Sequence, residues 1–522
     1  MDSITIDAGN EKSALTAEPV TEVKAENRFK PDMTDLVFAL VVFLLGYIYY
    51  IWVFFTWKGW GVSIFTVLYL LSVTLYLKKK DALTAGNAKW FWCAITLLTG
   101  ASYTLWENAG LSFIRNIFLF CSAVYYVIIA SGSAVMGNTG NYLILDGVNA
   151  LMILPFRNFI NQYVSFKVLK KRISENDAKA SKAVSVLAGI TLALLAISCL
   201  IPMLKRADSG GFTMILDAVA DITASWRYHS IRILIKYLVS APIAAYIYGL
   251  VSGAAHKKGT DIINPETARK TVEDLRIVQP VTIYIALGAM SGLYVLFILC
   301  QLPYFFSAFT GQRPEGWLVY SEYARQGFFE LCGIAAINLT IITIGNVMSK
   351  KHRTESKALI IFNIALVIIT LILIATAFSK MALYISAYGL TMPRLLPCVF
   401  MIFMIIVFTA LIALQKWDFS IVRLALVIGS IMLCLLSLLN PDALVVRYNT
   451  SRYLSGTLAE YDMDVLYRSR SAGVLSAIEM YKQTSDPVLK KELGKYISAY
   501  SHCAGWGSNT TNLEEQRAYR AW

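Results

Sequence analysis

Charged residues are scarce in this sequence: Asp, Glu, Lys and Arg make up only 16% of its 522 residues. A soluble domain carries about a quarter charged residues, so this composition argues against a large soluble enzyme. Hydrophobic residues reach 57%, and the mean hydropathy is +0.57. A disordered or fibrous chain is excluded as well, since such chains have low hydrophobicity or a strict compositional repeat.

The motifs of several common chemistries are missing. The eight cysteines show no CxxC or other paired spacing, so the sequence supports neither a disulfide framework nor a zinc site. The glycine-rich stretch 131–140 lacks the Lys-Ser/Thr ending of a P-loop, and neither HExxH nor GxSxG occurs. The four histidines lie far apart in the chain. We therefore predict no catalytic residue, metal ligand or cofactor, and an enzyme is disfavoured.

The net charge of +13 does not indicate a nucleic-acid partner. Nucleic-acid binding requires basic residues gathered on a soluble face with aromatic neighbours. Here Lys and Arg mostly flank apolar runs, as they do in membrane proteins. The expected partner is the lipid bilayer.

Long uncharged runs predict the fold class. A helix that crosses a bilayer needs about 20 mainly apolar residues. About eleven runs, with a range of ten to thirteen, meet this requirement. The runs are 36–56, 62–77, 89–105, 112–130, 183–203, 231–252, 279–303, 327–347, 357–378, 393–414 and 419–439. The predicted fold is all-α, a polytopic transmembrane helix bundle with a small helical C-terminal appendage.

The chain divides into a polar tail (1–33), a transmembrane domain (34–440) and an amphipathic helical tail (441–522). In the last part, Ser485-Asp486-Pro487 places a polar cap before proline and predicts a helix start. The stretch 141–170 is apolar but interrupted by polar residues and proline. We interpret it as an interfacial or re-entrant helix, with a twelfth span as the alternative.

The distribution of Lys and Arg predicts the orientation. Loops on the same side as the N-terminus carry several times more of these residues than loops on the other side. By the positive-inside rule, the N-terminus is cytoplasmic. An odd number of spans then places the C-terminal tail outside.

Charges beside apolar runs are candidates for function, because burying them in lipid costs free energy. Glu322 and Arg325 are neighbours on a helix and could pair, and Glu330 lies two turns beyond Glu322. Two interpretations stay open. These residues anchor the helix and bond to neighbouring helices, or they accept a proton or bind a cation.

Two other charged groups have a simpler interpretation. Glu107 and Arg115 flank a short turn between spans and could pair across it. Asp217 and Asp221 precede a stretch rich in basic residues. That mixture is typical of a helix that lies in the membrane interface, which we favour over the alternative of a polar pocket.

Three sequence blocks carry a resemblance to a known family. They are Gln301–Leu331, Ala387–Thr391 with Arg394, and Asn440–Asn449, and Leu154–Arg157 extends the match upstream. The chain resembles a bacterial multi-pass membrane family of unknown function, similar to DUF4173. The resemblance implies a polytopic protein of the bacterial plasma membrane and implies no reaction.

All three blocks fall at the predicted outer face or just inside it. Asn440 and Pro441 end the last span, and Asp442 is expected to cap the next helix. We therefore hypothesise one polar outer site. Its candidate residues are Glu322, Arg325, Glu330, Tyr388, Arg394, Asp442, Arg447 and Asn449.

Two functions are compatible with this sequence. The first is a transport- or permeation-linked protein that uses Glu330 as its ionisable centre, the Glu322–Arg325 pair as a gate, and a small solute or ion as substrate. The second is a non-catalytic scaffold or sensor whose outer tail binds a protein of the cell envelope. The sequence predicts neither the substrate nor the oligomeric state.

Overall fold

A computed structural model describes residues 29–137, 139–176, 236–257, 265–310, 328–350, 356–501 and 511–521. The membrane domain contains α1 (Met33–Trp52), α2 (Trp60–Lys79), α3 (Ala88–Leu105), α4 (Ser112–Ser131), α5 (Leu143–Val148), α6 (Leu154–Arg157), α7 (Asn161–Asn176), α8 (Lys236–Ala255), α9 (Pro265–Asp274), α10 (Pro280–Thr310), α11 (Phe328–Met348), α12 (Lys357–Tyr388), α13 (Met392–Lys416) and α14 (Ile421–Leu438). The tail contains α15 (Pro441–Leu454), α16 (Met463–Ser469), α17 (Val474–Gln483), α18 (Pro487–Tyr500) and α19 (Leu513–Ala521). Within these ranges the chain forms no β-strand, so the predicted all-α bundle is confirmed.

Ten described helical segments are long and apolar enough to cross a membrane. All but two of the eleven predicted spans match one of them. The predicted span 183–203 lies outside the described residues. The predicted span 89–105 corresponds to α3, which is helical but less apolar than the ten. The tenth segment is Leu143–Lys171, in the stretch that we interpreted as interfacial or re-entrant.

The helices alternate between two sides of the bundle. On one side, which we call the N-terminal side, Asp35 at the start of α1 contacts Lys80 just after α2. On the opposite side, which we call the tail side, the indole of Trp106 after α3 donates to the carbonyl of Leu438 at the end of α14. Because α3 packs between α2 and α4 and runs antiparallel to both, it joins the same two sides that they do.

The segment from α5 to α7 enters the bundle and returns to the same side. At its first end, Asn141 accepts a 2.8 Å hydrogen bond from Ser420, which caps the N-terminal-side end of α14. On its second limb, the Ser165 hydroxyl lies 2.8 Å from the Tyr248 hydroxyl, which also donates to the carbonyl of Asp35. Both limbs therefore end on the N-terminal side, which favours the re-entrant interpretation over a twelfth span.

Small residues on α8 make room for the tip of this re-entrant segment. Gly249 lies against the carbonyl of Pro155, and Gly253 lies against the amide of Asn158. A Cβ atom at either glycine would overlap those atoms, so the close approach requires glycine. The spacing of these two glycines therefore has a packing role within one chain.

The apolar residues form separate cores. The first includes Val42, Val73 and Tyr248 and joins α1, α2, α4 and α8. The second includes Leu287 and Leu366 and joins α10 to α13. A third core belongs to the tail and holds buried residues of α15 to α19. Leu390, from the turn between α12 and α13, is buried in the same core, so the tail packs on the bundle through it.

The tail helices begin where local sequence places a cap. Asp486 caps α18 by accepting from the amide of Val488, with Pro487 in the first turn, which confirms the predicted start. For α15 the expectation is wrong. The cap is Asn440, whose side chain accepts from the amide of Ala443, and Asp442 has a different role.

Candidate functional site

The tail meets the membrane bundle through an ion pair whose carboxylate is buried and whose arginine is half exposed. Glu107 lies in the turn after α3, and its carboxylate accepts a 2.5 Å hydrogen bond from the guanidinium of Arg470, between α16 and α17. Glu107 is 8% exposed, and Lys58 lies 3.9 Å from the same oxygen. This contact joins two parts of the chain that are 363 residues apart in sequence.

A second carboxylate, Glu514 of α19, lies in the same junction. It accepts hydrogen bonds from the side-chain amide of Asn440 and from the backbone amide of Glu107. Burial raises the pKa of Glu514 to about 7. The two neutral hydrogen-bond donors lower this pKa only in part, so burial remains the largest influence on it.

A third carboxylate, Asp442, reaches from α15 to the turn that begins α4. It is 2% exposed and accepts a 3.0 Å hydrogen bond from the backbone amide of Gly110. Burial raises the pKa of Asp442 to about 6, and the nearby negative charge of Glu107 adds to this increase. Asp442 therefore attaches the tail to the bundle instead of capping its own helix.

Arg115, in the first turn of α4, stabilises this turn. It is 1% exposed, lies 3.8 Å from the ring centre of Tyr103, and donates to the carbonyls of Trp106 and Glu107. The predicted ion pair of Arg115 with Glu107 does not form: Arg115 binds the backbone carbonyl of Glu107, and the Glu107 carboxylate pairs with Arg470. Arg115 fixes the loop between α3 and α4.

Asn449 attaches the tail to the turn between α12 and α13. Its side chain accepts from the amide of Leu390 and donates to the carbonyl of the same residue, both at 2.7 Å. The preceding Gly389 has φ +77° and lies against the Asn449 amide, where a Cβ would overlap it. This pair of bonds holds a tight turn that only glycine fits easily.

Between the tail and the bundle lies a cavity of about 830 Å³, which we call the junction cavity. Its charged lining residues are Arg394, Asp442, Asp462, Asp464, Arg468 and Arg470. Tyr384, Tyr467 and Tyr500 add aromatic surface. The walls therefore offer charges of both signs and ring faces, which suits a ligand that also carries both signs.

The candidate residues predicted from the sequence are spread over several places. Arg394 and Asp442 line the junction cavity. Asn449 and Tyr388 are not among its lining residues. Asn449 bonds to Leu390, and the carbonyl of Tyr388 accepts from Arg394 at 2.8 Å. Arg447 lies outside this cavity, in a second one on the opposite face of α15.

The remaining candidates do not join this group. Glu330 is exposed in the first turn of α11 and does not line the junction cavity. Glu322 and Arg325 lie outside the described residues, as do Asp217 and Asp221. The convergence of all eight residues on one site therefore stays a prediction.

A separate buried charge cluster lies on the N-terminal side. The carboxylate of Asp35, which is fully buried, accepts a 2.6 Å hydrogen bond from Tyr76 and lies 2.8 Å from the ammonium of Lys80. The imidazole Nε2 of His256 lies 3.1 Å from Oδ1 of this carboxylate, the same oxygen to which Tyr76 donates. Asp32 binds the same lysine at 2.7 Å from an exposed position. No sequence pattern predicts this cluster.

The described ranges hold no group of three His, Cys, Asp or Glu side chains that could bind a metal ion. The polar clusters described above are built from arginine, lysine, histidine, carboxylate, amide and tyrosine groups, which form ion pairs and hydrogen bonds with one another.

Comparison with known protein families assigns the chain at family level. Residues 65–480 match the model described as Domain of unknown function (DUF4153). The chain belongs to this family. Membership confirms the unknown-function family that the resemblance implied, but it does not confirm the name DUF4173. No curated protein and no solved structure matches the chain.

The DUF4153 match covers most of the junction. It extends from α2 into α17 and includes Glu107, Asp442, Asn449 and Arg470. Asp35 and Glu514 lie beyond its two ends. Together with the many apolar helices, the match identifies a multi-pass helical membrane protein.

Proposed function

We propose that this protein is a non-catalytic membrane scaffold or sensor in the bacterial plasma membrane. Its N-terminus is cytoplasmic, and its C-terminal tail presents the junction cavity outside, to a protein of the cell envelope. The observation that carries the proposal is the attachment of the tail to the bundle by Glu107–Arg470, Asp442–Gly110 and Asn449–Leu390.

Three contacts to two turns, the one between α3 and α4 and the one between α12 and α13, suit a display or sensing role. Each one holds a loop between membrane helices, so a ligand bound in the cavity would change forces on α3, α4, α12 and α13 together. A tail that only covered the bundle would not need a charged cavity of about 830 Å³ at its base. The mixed charges of Arg394, Arg468, Asp462 and Asp464 suit a polypeptide segment, which carries both signs.

Site-specific photocrosslinking tests the proposal. A photoreactive phenylalanine replaces Tyr467, which lines the cavity and is 36% exposed. The matched control replaces Tyr481, which is equally exposed but lies outside the cavity. Intact cells are irradiated, and the protein is purified and analysed by mass spectrometry.

The proposal expects one discrete protein adduct from position 467 that is absent from position 481. The Arg394→Gln variant should lose that adduct while keeping the same expression level. Identical adduct patterns at both positions, or no adduct at 467, contradict the proposal.

A transport-linked role is the second candidate, and the Asp35 cluster is the observation that favours it. This cluster brings a carboxylate, an ammonium, an imidazole and a phenol into contact inside a membrane domain. Such groups can form a proton relay. Glu330, the ionisable centre expected from the sequence, is exposed at a helix start.

Proton flux into liposomes that contain the purified protein separates these candidates. A proton-linked carrier loses flux in Asp35→Asn, and Asp32→Asn serves as the control because it changes the exposed partner of the same lysine. Glu330→Gln tests the carboxylate expected from the sequence. No flux above that of empty liposomes contradicts a proton-linked role.

A further inference from the structure

A second cavity, also of about 830 Å³, lies on the opposite face of α15 from the junction cavity. We call it the arginine cavity. Arg447 and Arg452 come from α15, and Arg517 comes from α19. The hydroxyl groups of Tyr448 and Ser451 accompany them on the same helix. Five hydrogen-bond donor groups thus surround one space.

The positive charge of these arginines is not neutralised within the described part of the chain. Arg452 donates to the carbonyls of Ser386 and Thr457, both at 2.8 Å, and both acceptors are uncharged. Arg447 is exposed, and Arg517 lies 5.9 Å from the ring centre of Trp106. None of the three forms an ion pair with a described carboxylate.

Among the described residues, Glu514 is the one carboxylate that lines this cavity, and it already has partners. Glu514 accepts from Asn440 and from the backbone amide of Glu107. Its raised pKa, about 7, reduces its negative charge at neutral pH. The cavity therefore has an excess of positive charge.

A buried hydroxyl at the base of the cavity gives an independent indication. Ser471 lines the cavity and is 5% exposed, and its Oγ finds no hydrogen-bond partner among the described residues. A buried polar atom without a partner costs free energy unless a water molecule or ligand satisfies it. Such an atom beside three arginines points to a bound anion.

The rim of the arginine cavity is apolar and lies at the membrane surface. Leu439, Leu444 and Leu475 line it and are among the exposed large hydrophobic residues of the chain. Leu439 directly follows the last residue of the membrane span Ile421–Leu438. A ligand in this cavity would therefore place its polar part at the arginines and its apolar part toward lipid tails.

We propose that the arginine cavity binds the phosphate of an anionic membrane lipid. Arginine pairs with phosphate oxygens through parallel N–H groups, and basic pockets at helix ends bind anionic headgroups. The apolar rim favours a lipid over free phosphate, because free phosphate has no apolar group that could pack against the rim. The assignment requires only that the tail lies at a membrane surface, and it is independent of the sensor function.

Native mass spectrometry of the full-length protein in detergent tests this assignment. The protein is titrated with phosphatidylglycerol, with the zwitterionic phosphatidylcholine, and with inorganic phosphate. The test variant is Arg447→Gln/Arg517→Gln, because both side chains are exposed and Arg452 holds the fold. The control is Arg468→Gln, an exposed arginine of the junction cavity.

Phosphatidylglycerol should bind the wild-type protein and the control with the same affinity, and more tightly than phosphatidylcholine. The double variant should lose this affinity by about tenfold or more, since two charge-assisted hydrogen bonds disappear. An unchanged melting temperature shows that the double variant is folded.

Equal binding of phosphatidylglycerol by the wild type and the double variant overturns the proposal. Inorganic phosphate that binds as tightly as the lipid overturns the lipid assignment. A second variant, Ser471→Ala, should weaken phosphatidylglycerol binding by a smaller factor. Because that change removes only one oxygen, we expect the Ser471→Ala protein to fold. It therefore still tests the proposal if the double variant does not fold.

Discussion

Arg470 lies 2.5 Å from the carboxylate of Glu107, and this pair connects the C-terminal tail to the loop between two membrane helices. The Glu107 side chain is 9% exposed, whereas that of Arg470 is 53% exposed. Loss of the arginine therefore leaves a buried negative charge, while loss of the glutamate leaves an arginine that water can solvate.

Arg470→Gln should destabilise the folded protein by about 2 to 3 kcal/mol, because it removes the closer of the two cations beside a buried carboxylate and leaves only Lys58, at 3.9 Å. Thermal melting of the detergent-solubilised protein measures the effect. Arg468→Gln is the matched control, because its pair with Asp464 is exposed on both sides. The control should change stability by less than about 1 kcal/mol, and equal effects of both variants would contradict a structural role for the junction pair.

The junction should weaken as pH rises from about 4 to about 7. The folded-state pKa of Asp442 is raised from 3.8 to about 6, and that of Glu514 from 4.5 to about 7. Between the unfolded and folded pKa values, the folded state binds more protons than the unfolded state, so stability falls with pH. A pKa that is higher by one in the folded state than in the unfolded state changes the free energy of unfolding by about 1.4 kcal/mol.

Melting temperatures at pH 5 and pH 8 test this pH dependence. The wild-type protein should melt at a lower temperature at pH 8, and Glu514→Gln should show a smaller difference. Glu460→Gln, at an exposed tail position, serves as the control and should keep the wild-type difference. A Glu514→Gln protein with the full wild-type difference would show that burial of this carboxyl group does not control the junction.

Asn449→Ala should cost about 2 to 3 kcal/mol, since it removes two hydrogen bonds and leaves the buried amide and carbonyl of Leu390 without partners. Ser451→Ala changes an exposed residue on the same helix and should be nearly neutral. Denaturation of both variants in parallel measures the difference. A loss no larger than that of the control would mean that the Gly389–Leu390 turn holds without the tail.

Asp35→Asn should destabilise the protein by about 3 to 5 kcal/mol, because it leaves the Lys80 ammonium without its buried partner. Asp32→Asn removes the exposed partner of the same lysine and should cost no more than about 1 kcal/mol. Melting of the two variants compares a buried and an exposed ion pair at one cation. A larger loss of stability in Asp32→Asn than in Asp35→Asn would contradict the conclusion that Asp35 is the main partner of Lys80.

Local sequence patterns predict the helices better than they predict the site. Apolar runs indicate the membrane spans because nearly every residue of a helix inside the bilayer must be apolar. Asp486-Pro487 indicates a helix start because a cap depends only on neighbouring residues. The pairing of Glu107 with Arg470 has no local signal, since 363 residues separate the two. Sequence proximity favours Arg115 as the partner of Glu107, but that arginine binds backbone carbonyls instead.

The path of the segment after α4 is ambiguous in the sequence for a similar reason. Its length and hydropathy suit a membrane span. The hydrogen bonds of Asn141 with Ser420 and of Ser165 with Tyr248 decide its path, and those contacts are long-range. The prediction of Asp442 as the cap of α15 is wrong, although Asn440-Pro441 shows the same pattern, a polar residue directly before proline, that marks the start of α18. Asp442 accepts from the amide of Gly110 instead.

The orientation of the tail is the central claim, and cysteine labelling in intact cells tests it most directly. In a variant without the eight native cysteines, Glu460→Cys reports the tail side and Lys416→Cys reports the N-terminal side. Both positions are exposed. A membrane-impermeant maleimide should label position 460 in intact cells and position 416 only after permeabilisation. Labelling of position 416 but not 460 in intact cells would contradict an outward-facing tail and the sensor function that depends on it.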